Sequence, residues 1–173
     1  MMGTSYVGGT QHALAMAHSP HLRTIIPVDA VSNPGYQSVR NAGAFELRFF
    51  NWIFWLGAPE GSRQARDSAT REVFEEMADN RRQYLLSLPL RKGTTPLKLA
   101  PEYEEWLVDA MRHGANDSFW AWNNIIDRPE RYQDIPVYLV GGWYDSWAGN
   151  TTANYATLSN RLKSPVYLIM GPW

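Results

Sequence analysis

The rhythm of apolar and polar positions changes twice along the chain. Residues 6–18 are mostly small or helix-compatible, with Gln11, His12, Ala13, Leu14, Ala15, Met16 and Ala17 in a row. Ser19-Pro20 then predicts an end to that helix, because proline disfavours helical geometry in the residue before it. Thr24-Ile25-Ile26-Pro27-Val28-Asp29-Ala30 is a short apolar run of the kind a buried strand shows. Residues 31–43 carry Ser, Asn, Pro and Gly and predict a loop. From about residue 45 the pattern turns helical. Residues 45–56 predict an apolar-aromatic helix. Further on, Ala69, Val73, Met77, Tyr84, Leu85 and Leu88 recur at near-helical spacing, with Arg, Glu and Asp between them. Pro101 followed by Glu102, Glu104 and Glu105, with His113-Gly114 at the far end, carries the start and stop signals of a further helix. The last third returns to strand (135–141), helix (150–162) and strand (166–170). A β-α-β order implies a right-handed crossover and a parallel sheet. The predicted organisation is an α/β core made of residues 1–44 and 129–173, interrupted by a helical cap insert over 45–128.

Composition narrows the classes without naming one. The 173 residues are 45% hydrophobic and 19% charged, with a formal net charge of -1. A complete domain of that size buries about 70% of its unfolded surface. The near-neutral balance gives no electrostatic reason to expect nucleic acid or an anionic membrane as partner. The absence of cysteine excludes a disulfide scaffold, thiolate metal sites and a cysteine nucleophile. No apolar run reaches the roughly 18 residues that a membrane helix needs. Eight Trp, nine Tyr and six Phe suit a lined apolar pocket as well as a core. No cofactor or metal is expected. The opening Met1-Met2-Gly3-Thr4-Ser5 has no charged n-region and does not read as a signal peptide. It opens inside a motif, without the strand that the motif needs, and the chain stops as another strand finishes. The expectation is an internal fragment of a longer protein, with the compartment left open.

Two motifs carry chemistry. In Gly3-Thr4-Ser5-Tyr6-Val7-Gly8 a small residue precedes a serine by two positions. A nucleophile elbow needs small flanking residues, because larger side chains collide in its tight strand-to-helix turn. On the other side Gly8 arrives one position later than G-x-S-x-G requires. The following helix would aim its N-terminus at Ser5 and put the Tyr6 N–H where an oxyanion forms. A plain Gly-Ser turn opening a helix gives the same pattern. In Val140-Gly141-Gly142-Trp143-Tyr144-Asp145-Ser146-Trp147 a strand ends in two glycines and delivers an aspartate to a loop. Functional groups of open parallel sheets gather at that end, although a solvated aspartate capping the next helix fits equally well. The order serine then acid, across a cap-sized insert, is that of the α/β-hydrolase fold.

Gly3-x-Ser5-Tyr6-x-Gly8, His113-x-x-x-Asp117-x-Phe119-Trp120, Gly142-Trp143-Tyr144-Asp145 and Gly171-Pro172-Trp173 together resemble the cocaine esterase family. That group is related to X-prolyl dipeptidyl peptidases and to β-lactam ester hydrolases and acylases. The family itself spaces its elbow this way, which accounts for the displaced Gly8. The resemblance implies a partial α/β-hydrolase fold with an inserted helical cap. It also implies Ser5 as nucleophile, Asp145 as the acid that orients a catalytic histidine, and the Tyr6 N–H as half of the oxyanion hole. Trp147 matches an aromatic that lines the acyl pocket, and Phe49, Trp52 and Trp55 are expected to add to that wall on composition alone. Family members carry the catalytic histidine two residues beyond Gly-Pro-Trp, and none of the four histidines here follows Asp145. His12, His18 and His21 are expected in polar-surface or helix-cap roles, and His113 at a helix C-terminus. The implied activity is cleavage of a carboxylic ester or amide through an acyl-enzyme, with this fragment inert on its own. Ser146-Trp147-Ala148-Gly149 supplies no carboxylate after Asp145, which favours an uncharged acyl group against Trp147 over an α-amino ester. X-prolyl dipeptidyl peptidase or β-lactam acylase activity, a non-catalytic binding protein on a hydrolase scaffold, and a homo-oligomeric parent protein stay open.

Overall fold

A computed structural model describes all of residues 1–173. In chain order it contains β1 (Met2–Ser5), α1 (Tyr6–Met16), β2 (Ile26–Ala30) and the two-residue strands β3 (Arg40–Asn41) and β4 (Ala44–Phe45). Then come α2 (Leu47–Trp52), α3 (Ala58–Gly61), α4 (Ser68–Asp79), α5 (Arg82–Leu86) and α6 (Pro101–Arg112), followed by β5 (Val137–Gly142), α7 (Ala148–Arg161) and β6 (Val166–Gly171). The chain divides into two compact units, one made of Met1–Gly43 with Ala115–Trp173, the other of Ala44–Gly114.

The first unit is a four-stranded sheet in the order β1-β2-β5-β6, with every pairing parallel. This is the partial α/β-hydrolase architecture expected. One expectation fails: the strand before Ser5 is present. Met2–Ser5 pairs with β2 in the register Met2↔Ile26, Gly3↔Pro27 and Thr4↔Val28. Helix α1 packs on β1 and β2, and α7 on β5 and β6. Alternation along the strands decides which side chains meet these helices. Val137 and Leu139 point inward and join Ala15, Met16, Ile25, Ile125, Tyr132 and Leu158 in a buried cluster. Tyr138, Tyr167 and Ile169 alternate to the opposite face and are exposed, with the Tyr138 and Tyr167 rings 5.7 Å apart.

The second unit is helical. Phe50, Ile53, Phe54, Phe74, Met77, Leu97 and Leu107 form its buried core, and Phe54 stacks between Phe50 and Tyr84 at 4.8 Å from each. The predicted helix over 45–56 starts at Leu47 and widens into a π-helical turn at Ile53–Gly57. The wider turn lays the Trp52 ring on Gly57, where a Cβ would come within 2.7 Å of it. Asp67 caps α4 by accepting from the Thr70 N–H at 2.9 Å.

The expected insert ran to 128, whereas the compact helical unit ends at Gly114. Residues 115–128 belong to the sheet unit because asparagines tie them there. The side chain of Asn33 accepts from the Ile125 and Ile126 N–H groups at 2.7 and 3.0 Å. The Asn123 side chain donates to the Val31 carbonyl at 3.0 Å, and the Trp120 ring fills the space over Gly35.

Candidate active site

β1 runs into α1 with no intervening loop, and Ser5 is the residue at the turn. Its backbone sits at φ 59, ψ -122, a region that residues other than glycine enter only under strain. The side chain is exposed. Two glycines make the turn sterically feasible. A Cβ on Gly3 would lie 2.5 Å from Val7 Cγ1, and one on Gly8 would lie 2.7 Å from Ala30 Cβ and 3.0 Å from the Gly3 carbonyl. The late Gly8 is therefore what lets α1 cross close to β2. Tyr6 opens α1, so its N–H is among the first-turn donors that have no intrahelical acceptor. Its side chain is 72% exposed.

Asp145 stands three residues past the end of β5, at the same C-terminal edge of the sheet as Ser5. β2 lies between their strands, so β1 and β5 are two strand spacings apart, about 10 Å. Asp145 Oδ1 accepts from the Trp147 N–H at 2.7 Å, and the Asp145 N–H donates to the Gly142 carbonyl at 3.2 Å. The carboxylate thus does serve the turn before α7, but with Oδ1 alone, and Oδ2 takes no hydrogen bond within the chain. The loop is also held from β6: Trp143 N–H donates to the Gly171 carbonyl at 2.9 Å and Tyr144 N–H to the Trp173 carbonyl at 3.1 Å. Trp147 is half-buried next to the acid. Phe49, Trp52 and Trp55 belong to the helical unit. There Arg48 lies over the Phe49 ring at 5.4 Å and Arg81 over the Trp55 ring at 5.9 Å.

The scan against protein families matches the X-Pro dipeptidyl-peptidase (S15 family) over residues 1–173. The chain belongs to that family. Comparison with the curated proteins finds no match. Membership in the X-Pro dipeptidyl-peptidase family supports a function of the serine hydrolase or peptidase kind.

The histidines of this family member hold other posts. His18 has a left-handed backbone (φ 53) just past α1, and its Nε2 lies 2.9 Å from the Arg131 carbonyl. His21 follows beyond that helix, and His113 is the C-cap of α6 in the helical unit. His12 departs from the surface role expected of it. It is fully buried on α1, its Nδ1 lies 2.7 Å from the Tyr132 hydroxyl, and its Nε2 has no partner in the chain. Burial without a counter-charge disfavours the imidazolium, which lowers the His12 pKa from 6.5 to about 4, and the same burial pushes the Tyr132 hydroxyl up.

A pH dependence follows. Between about 6.5 and about 4 the unfolded chain binds a proton at His12 that the folded chain refuses. Stability is complete above the unfolded pKa and falls as pH drops through that window, by on the order of 3 kcal/mol. Urea midpoints measured from pH 7 to pH 4.5 should fall in the wild type, and His12→Gln should flatten most of the slope.

Proposed function

We propose that Ser5 and Asp145 are the nucleophile and acid of a serine hydrolase that cleaves carboxylic esters through an acyl-enzyme. The observation that carries this reading is the exposed serine on a strained strand-to-helix turn, sharing a sheet edge with an aspartate that has one carboxylate oxygen unused. A histidine base, which the family resemblance puts after Trp173, takes the Ser5 proton. Ser5 Oγ then attacks the substrate carbonyl, and the oxyanion lies against the Tyr6 N–H at the positive end of α1. The base returns the proton to the leaving alcohol, and water repeats the sequence to free the acid. Asp145 Oδ2 faces the histidine and stabilises the imidazolium that forms.

The acyl group is uncharged. Ser146 to Gly149 place no carboxylate after the acid to meet a substrate ammonium, while Trp147 offers an apolar wall. The alternative is release of a dipeptide ending in proline, the activity in the family's own description.

Fluorophosphonate labelling of the full-length protein, followed by peptide mapping, should find the adduct on Ser5. Parallel assays with p-nitrophenyl acetate or butyrate and with an Xaa-Pro-p-nitroanilide should favour the esters by kcat/KM. An adduct on another serine rejects the nucleophile assignment. Faster turnover of the anilide hands the substrate assignment to the dipeptidyl reading.

A further inference from the structure

Asp29 is the extra residue in a β-bulge. Opposite β1, Thr4 pairs with Val28 but Ser5 pairs with Ala30, so Asp29 has no partner in that ladder. Its backbone is left-handed at φ 40, a conformation that aspartate and asparagine tolerate better than other residues with a side chain. On the other side of β2 the ladder with β5 runs normally at first, the Tyr138 N–H donating to the Ile25 carbonyl. At the end of β5 the Gly142 N–H donates instead to the Asp29 side chain, at 2.8 Å from Oδ1. A carboxylate has replaced a main-chain acceptor at the last rung before the acid loop. Bulges gather beside active sites, where the local kink aims a side chain. This one lies between the strand that ends in Ser5 and the strand that leads to Asp145.

We propose that Asp29 is a positioning residue that fixes the Gly142–Asp145 turn in register with Ser5. The assignment rests on the reading of Asp145 as the triad acid. Gly142 is the pivot of that turn, since its carbonyl accepts from the Asp145 N–H while its N–H is held by Asp29. Releasing the N–H frees the turn to tilt, and Asp145 Oδ2 then loses its aim at the base. The bond needs an acceptor oxygen and no charge, so asparagine should serve in place of aspartate.

The test is a double-mutant cycle in the full-length protein, with turnover of p-nitrophenyl acetate and amide exchange as readouts. Asp29→Leu should lower kcat about tenfold to a hundredfold, as a misplacement near 1 Å does, with KM held. Gly142 amide protection should fall with it, and Asp29→Asn should restore both. In an Asp145→Asn background, Asp29→Leu should lower kcat no further, because nothing is left to aim. An undiminished loss in that background means that Asp29 acts on stability alone and overturns the proposal. So does an Asp29→Asn variant as slow as Asp29→Leu, since the charge itself would then face the base. Should Asp29→Leu fail to fold, Asp29→Ser, whose hydroxyl is too short to reach Gly142, takes its place in the cycle. If Asp145→Asn alone turns over normally, the reading of Asp145 has failed, and that result is distinct from any produced by the Asp29 variants.

Discussion

Replacing Ser5 by alanine should lower kcat of the full-length hydrolase by about 10⁶-fold, the size of loss seen when a triad nucleophile is removed. The substitution tests chemistry and little else. Ser5 makes no side-chain cap bond to α1, and it is exposed. Alanine meets the same steric limits at φ 59 as serine does, so the strain of the turn is unchanged. Thermal unfolding should therefore coincide for the two proteins while ester turnover and fluorophosphonate labelling vanish. A variant that keeps even a hundredth of the wild-type rate would remove Ser5 from the mechanism.

Asp145→Asn should lower kcat by about 10⁴-fold, the scale at which losing the acid's charge is felt in a triad. Geometry makes asparagine the informative choice. Asp145 Oδ1 is committed to the Trp147 N–H, and an asparagine carbonyl oxygen can accept that bond equally well. The side-chain amide then takes the place of Oδ2 and presents a donor where the histidine N–H needs an acceptor. The loop survives and the imidazole is left in the wrong tautomer. Asp145→Ala loses the turn as well, so it should be less stable than Asp145→Asn in urea while being at least as slow. If the two variants melt alike, the bond to Trp147 adds nothing to the turn.

Much of the sheet unit was legible because its strands are bounded by turn residues. β5, α7 and β6 fall within two residues of where the pattern put them. β1 was not legible: Met2-Gly3-Thr4-Ser5 has no run of branched side chains, and it becomes a strand only by pairing with β2. Ser5 stood out through Gly3 and Gly8 on either side of it, and Asp145 through its place just after two glycines that end a strand. Asp29 did not, since a bulge adds one residue to a strand without altering its composition. His12 hid for a related reason. Its partner, Tyr132, is 120 positions away, and burial that depends on so distant a residue leaves no local periodicity. The boundary at Gly114 was missed because Asn33 and Asn123 draw residues 115–128 into the sheet unit through bonds spanning some 90 positions.

The backbone at Ser5 has one more consequence. Glycine occupies φ 59, ψ -122 as easily as its mirror image, so Ser5→Gly relieves a distortion worth about 1–3 kcal/mol, partly offset by the greater freedom of glycine in the unfolded chain. A protein disabled this way should melt a few degrees higher than the active one. On that outcome, the turn that presents the hydroxyl is kept at the expense of heat resistance, and the protein is less durable than its own glycine variant.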